Sequence, residues 1–315
     1  MLKKILMALI LIVFSLGMLG AMDFPFPVEG IYDLTPAKIK SKEINKYFKA
    51  EILKYKQAQV VETKPDILKV DPEITTFKGL QYGSIRLGNN EKDVWFVIRK
   101  NDFDYYSELY VDQNFDNNIT SQEKVPNLDT WEDKDGSLLI HSSSTYPKSV
   151  PVMVSYKSTA YGEITKKLSF YIHTQYIMKK NGTNTLWIGF INTSALEGTF
   201  TVTIDHREKD IRFRLIDTNA NGCYNDYKKD NILMDLNEDG KFTEDEAQSL
   251  FNYFVVKVKK QKKQLQLAVM PCPAKVAVIG VNQDLDSTQL EPEPDPLNTE
   301  VTGKQVQTKS DKDED

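Results

Sequence analysis

From about Ile74 onward, the apolar positions fall into short runs with period two. The runs cover 93–99 (Val94, Trp95, Phe96, Val97, Ile98), 107–111, 151–156, 168–173, 186–191, 199–204, 211–216, 253–258 and 264–269. They are rich in Val, Ile, Thr, Tyr and Phe and are separated by clusters of Asn, Asp, Gly and Ser, which is the pattern of strands joined by turns. The pattern predicts a mainly β, hairpin-rich, sandwich-like fold. Hairpin tips are expected near Glu163, at 206–209 and at 259–263.

Before Ile74 the period changes. Ile39, Ile44, Tyr47, Phe48, Ile52, Leu53 and Tyr55 recur at near-helical spacing, predicting one amphipathic helix within 37–59, with Thr35 as its cap and Pro36 in its first turn. Lys64-Pro65 and Asp71-Pro72 mark turns. At the start, Lys3-Lys4, an apolar run from Ile5 to Leu19 and the small residues Gly20-Ala21 have the form of a secretory signal cut after Ala21. The rival is an uncleaved membrane anchor, for which the run is short. After Gly280 apolar residues become scarce, and 283–315 carries Glu-Pro-Glu-Pro-Asp-Pro and ends Asp-Lys-Asp-Glu-Asp, the composition of a disordered acidic tail. The chain therefore divides into a signal (1–21), an N-terminal segment (22–75), two β-rich regions (76–180 and 181–282) and a tail. A soft boundary is expected at Lys180-Asn-Gly182.

Composition excludes more than it selects. With 40% hydrophobic and 27% charged residues a sizeable core is possible. A net charge of −5, with no single basic patch, argues against nucleic acid as a partner. Cys223 and Cys272 have no CxxC or Cys/His spacing that would suit zinc, and the sequence leaves open whether they pair.

The chemistry is concentrated where strands end in acidic loops: Leu109-Tyr-Val-Asp112 in one half and Leu215-Ile-Asp217 in the other. Calcium takes six to eight oxygen ligands, and a twelve-residue loop offers them from positions 1, 3, 5, 7, 9 and 12, turning sharply at position 6. Residues 235–246 read DLNEDGKFTEDE. Asp235, Asn237, Asp239, Lys241 (through its carbonyl), Thr243 and Glu246 occupy the ligand positions, with Gly240 at 6 and apolar Phe242 at 8. Residues 112–123 read DQNFDNNITSQE. Asp112, Asn114, Asp116, Asn118, Thr120 and Glu123 are its ligand candidates, and Asn117 stands in for Gly. The third loop starts at Asp217 and continues through Asn219, Asn221 and Gly222. Its twelfth position is Lys228, which cannot ligate, so Asp226 or Asp230 is the candidate for the missing carboxylate. A calcium site and a plain Asx turn both remain open there.

These loops resemble EF-hand and dockerin-type calcium loops over about three dozen positions. The overall pattern also resembles secreted bacterial β-rich proteins that repeat such loops. The resemblance implies Ca2+ as cofactor but no activity. The entering segments read as strands rather than helices, which points to calcium as a brace rather than a signal. No GxSxG, phosphate loop or HExxH is present, and the histidines are His141, His173 and His206. Tyr105, Tyr106, Trp131 and Trp187 are candidates for stacking on sugar, or for the core. The expectation is a secreted or periplasmic calcium-binding module for a protein or carbohydrate ligand. The alternatives are a secreted hydrolase with structural calcium, and a component of an envelope assembly that uses the acidic tail as a contact.

Overall fold

The long strand Asp93–Lys100 shows how the sequence pattern becomes architecture. Val94, Phe96 and Ile98 enter one core, while Val97 and half-buried Trp95 enter another. A strand covered on both faces needs a continuous apolar run, which is what 94–98 supplies. The computed structural model describes residues 28–280 apart from 78, 91, 101–105, 126–128, 136–137, 146–147, 159–161, 180–183, 205, 227–228, 251 and 259–260. The expected signal, the acidic tail, Tyr105, Lys228 and the 180–182 boundary lie outside the described residues. Among the described residues no helix is long and apolar enough to cross a membrane.

The fold is mainly β and is built as two antiparallel sandwiches. In the first, the sheet Gln59–Val61, Gln81–Arg86, Asp93–Lys100, Tyr106–Val111 faces a sheet ordered Asp129–Asp135, Leu138–Ser144, Gly162–Lys179, Asn184–Asn192, Lys56–Gln57, with Val150–Ser158 paired to the first half of the long Gly162–Lys179 strand. Phe96, Leu109, Val152, Tyr156, Phe170, Ile172 and Phe190 fill the space between them. In the second, Ala247–Ser249, Asn231–Asp235, Arg207–Ile216, Ser194–Ile204 and Thr35–Lys38 face Val28–Asp33, Lys275–Gly280, Gln261–Ala268 and Phe254–Val258. Phe200, Phe213, Met234, Phe254, Leu265 and Val278 form that core. The chain passes from one sandwich to the other at Thr193, between the strands Asn184–Asn192 and Ser194–Ile204. The N-terminal segment contributes to both sandwiches.

The helix differs from expectation at its start. Thr35–Lys38 is an edge strand paired to Ser194–Glu197, so Thr35 is no cap and Pro36 opens no helix. Proline is tolerated on an edge strand because its missing N–H is not needed by a further neighbour. The helix runs Ser41–Lys49, and the Lys40 amide donates to the Glu43 carboxylate at its N-terminus. Ile44 and Tyr47 are buried, as the helical spacing predicts, and Phe48 is exposed. Residues 52–53 continue the apolar face beyond the helix and join Ile39, Ile191, Ala195, Ile216 and Leu233 in a third core.

A nine-residue helix is marginal by itself and must be held by tertiary contacts. Arg214 does much of this. Its guanidinium, in a side chain only 8% exposed, donates to Glu197 Oε1 (2.8 Å) on the neighbouring strand, to Glu43 Oε1 (3.1 Å) and to Tyr47 Oη (3.3 Å) on the helix. Removing one member of a buried charge group leaves the others unpaired. Arg214→Ala is therefore expected to cost about 3 kcal/mol, read as a lowered midpoint in urea unfolding at unchanged slope.

Candidate metal centre

The three acidic loops share one backbone. Positions 4 and 6 are left-handed in each: Phe115 (φ 68°) and Asn117 (60°), Ala220 (54°) and Gly222 (86°), Glu238 (64°) and Gly240 (76°). The first aspartate explains why. Asp112, Asp217 and Asp235 close their strands almost wholly buried, at 0, 1 and 3% exposure. Each turns its Oδ2 to accept the position-6 amide: Asn117 N at 2.9 Å, Gly222 N at 2.7 Å and Gly240 N at 3.1 Å. That bond bends the chain back over the carboxylate, and the bend requires the positive φ that Gly and Asn tolerate best.

The Asx residues repeat this arrangement further along. At position 3, the Oδ1 atoms of Asn114, Asn219 and Asn237 accept the amides of Asp116 (3.0 Å), Asn221 (3.3 Å) and Asp239 (2.9 Å). At position 5, Asp116, Asn221 and Asp239 accept from Asn118, Cys223 and Lys241 at 2.7–2.9 Å. In two loops the position-12 glutamate folds back as a cap. Glu123 Oε2 accepts from Thr120 N, and Glu246 Oε2 from Thr243 N, both at 3.0 Å. In each loop, then, the side chains at positions 1, 3 and 5 accept amides of the same turn.

The third loop closes differently. Its acidic partners are the two residues singled out as substitutes for Lys228. Asp226 Oδ2 accepts from both Asn219 Nδ2 and Asn221 Nδ2 at 2.6 Å. Asp230 accepts from Thr218 N (3.1 Å) and Asp226 N (2.7 Å). Burial, with the neighbouring carboxylates adding to it, pushes Asp217 and Asp230 well above the usual carboxylate range. Burial likewise pushes Asp112 above its ordinary value.

One loop stands apart by what it leaves unmet. Asp112 Oδ1 accepts from Phe115 N (2.7 Å) and Asp116 N (3.1 Å), and Asp217 Oδ1 from Asn221 N (3.2 Å). Asp235 Oδ1 and Glu246 Oε1, at positions 1 and 12 of the same loop, are buried and find no hydrogen-bond partner among the described residues. Arg212 is the nearby cation, 3.8 Å from Asp235 Oδ2 and donating to Gly240 O at 3.1 Å. Among the described residues, no three His, Cys, Asp or Glu side chains are gathered closely enough to hold a metal by themselves. A cation in this loop would depend on amide, hydroxyl and carbonyl oxygens as well as the carboxylates of Asp235, Asp239 and Glu246.

Each loop also fastens something distant. Asn117 O and Ile119 O accept from the amides of Lys69 and Asp71, both at 2.9 Å. Asn221 O accepts from Gly88 N (2.6 Å) and Gly222 O from Tyr156 Oη (2.6 Å), so the Asp217 loop of the second sandwich is pinned to the first. Asn192 Nδ2 donates to Asp217 Oδ2 (2.8 Å) from the strand where the sandwiches meet. Phe242 O accepts from Tyr47 Oη (3.0 Å), and the Arg214 guanidinium lies 4.6 Å from the Phe242 ring. Nothing local in the sequence ties Tyr47, Asn192, Arg212 or Arg214 to the loops. Only the strand register and the docked helix bring them to the loops.

Other candidates sort into packing. Tyr106 is buried edge-to-face against Tyr176, so it offers no surface for sugar. Trp187 is half-buried in a cluster with Tyr55 (5.2 Å, edge-on) and His173 (5.9 Å). Of Trp131 only the backbone is described. His206 is a left-handed turn residue at the expected hairpin tip, and burial pulls His173 down to about 4. Compared with protein-family models, curated proteins and solved structures, the chain finds no match.

Gly240 tests the backbone argument directly. A methyl placed there meets nothing nearer than Arg212 Nη1 at 3.5 Å, so space is available and only the φ of 76° resists it. Gly240→Ala should cost about 1–2 kcal/mol through that left-handed conformation, measured as a lower thermal midpoint without added metal.

Proposed function

We propose that this chain is a calcium-braced β-sandwich binding module that acts outside the cytoplasm, with the Asp235 loop as its principal ion site. The observation that carries the reading is the pair of buried, unpartnered oxygens, Asp235 Oδ1 and Glu246 Oε1, at the first and last ligand positions of one loop. A buried carboxylate oxygen with no donor is costly, and a bound cation removes that cost. The surrounding donors suit the ion. Asn237, Asp239, Thr243 and the Lys241 carbonyl are hard oxygens, and no imidazole or thiolate belongs to the set, which favours calcium over zinc.

The Asp112 loop is the second site. Its backbone is the same, but its carboxylates already accept amide hydrogens, so a cation gains less there. In the Asp217 loop the carboxylates of Asp217, Asp226 and Asp230 all accept hydrogen bonds, and the loop serves chiefly to join the sandwiches. In this reading calcium acts by mass action on the folded state. Binding to the native loop alone raises stability by an amount set by concentration over Kd. The Kd expected for an extracellular site is ~10⁻⁴–10⁻³ M. The N-terminal signal pattern supports placement outside the cytoplasm, and the ligand that the module binds is a protein or a carbohydrate.

Calorimetry of the mature protein against calcium tests the reading. Saturating calcium should raise the melting temperature by several degrees. Asp235→Ala should remove most of that gain and the tighter binding heat, and Asp112→Ala a smaller part. Absence of binding up to about 10 mM, a concentration well above the Kd range of such sites, would refute it.

A further inference from the structure

We infer that Cys223 and Cys272 form an intramolecular disulfide when the chain folds in an oxidising environment, fastening the Asp217 loop to the segment around residue 272. This does not depend on the calcium reading. Both thiols are free in the structure, which is the reduced form of the pair. The geometry comes from the backbone. The amide of Tyr224 donates to the carbonyl of Pro271 at 3.0 Å. These are the peptide groups that immediately follow Cys223 and immediately precede Cys272. A hydrogen bond between them holds the two Cα atoms roughly 4.5–6.5 Å apart, as in neighbouring strands. That lies inside the bridging window of about 4.4–6.8 Å.

The side chains share the same space. Cys223 is 4% exposed within the core of the first sandwich, and Cys272 packs against that same cluster. Tyr156 belongs to the same core cluster, and its hydroxyl donates at 2.6 Å to Gly222 O, the carbonyl just before Cys223. The bond would close a loop of roughly 50 residues, long enough to restrict the unfolded chain substantially. It also falls at the loop whose twelfth position, Lys228, cannot ligate an ion.

The chemistry is thiol–disulfide exchange. One cysteine, as thiolate, attacks a disulfide oxidant, either a small-molecule disulfide or a protein dithiol oxidase. The first thiol leaves and a mixed disulfide remains. The second cysteine attacks that bond and releases the second thiol. Two cysteine thiols are oxidised, one external disulfide is reduced to two thiols, and both protons end on the released thiols. Cys223 is 4% exposed in the folded core, out of reach of an external disulfide, so the pair closes during folding rather than after it.

The full chain, reduced and unfolded in guanidinium chloride, would be refolded in a glutathione redox buffer, alkylated and weighed. The expected product is monomeric, takes up no alkyl group, and yields a peptide pair linked through Cys223 and Cys272. It should melt several degrees above the Cys223→Ser/Cys272→Ser double variant, and reductant should abolish the difference. A refolded chain that takes up two alkyl groups, carries bound glutathione, or is cross-linked only between molecules would overturn the assignment. The mass reading on the unsubstituted chain holds even if the double variant folds poorly.

Discussion

A carboxylate buried at the end of a strand is the constraint around which this molecule is arranged. Asp112, Asp217 and Asp235 each sit at or just past the end of a strand, and each is almost wholly removed from water. A charge in that position must be matched by donors or by a cation. The chain meets part of the demand by curling its own amides back onto the carboxylate, which sets two left-handed residues per loop and turns the loop carbonyls outward. Those carbonyls then meet other parts of the protein. The same turn that satisfies the aspartate therefore creates the attachment points for the 69–71 segment, for the first sandwich and for the helix.

The three loops solve the remaining electrostatic problem in different ways. In the Asp112 loop the amides of Phe115 and Asp116 complete the carboxylate. In the Asp217 loop, two asparagine side chains turn to Asp226, while Asp230 accepts backbone amides beside it. In the Asp235 loop two oxygens remain unmet, and the nearest cation, Arg212, is half-exposed and aimed mainly at a carbonyl. This ordering separates the Asp235 and Asp112 loops, which match the calcium pattern almost equally well in sequence, and it follows from which backbone amides each loop can spare.

Much of the fold was legible from period alone. The nine predicted runs all fall on strands, because a half-buried pleated surface requires alternation and a doubly covered strand requires a continuous run. Ile44 and Tyr47 face the core as their spacing predicts. The start of the helix was not legible. Pro36 fits a first helical turn and an edge strand equally well, and only the presence of the strand Ser194–Ile204 beside it decides between them. The strand Asn231–Asp235, which carries the first ligand of the best loop, was hidden because a short apolar run followed by an acidic loop has no clear period of its own.

By itself, the sequence determined that the protein is β-rich and that oxygen-rich turns close its strands, since strand periodicity and Asx-Gly spacing are local properties of the chain. Tertiary structure alone decided how the runs divide into two sandwiches, where the helix rests, and which buried carboxylate lacks partners. It also decided that Cys223 lies beside Cys272. Those outcomes depend on strand register and on hydrogen bonds between residues far apart in sequence, and local pattern carries no information about either.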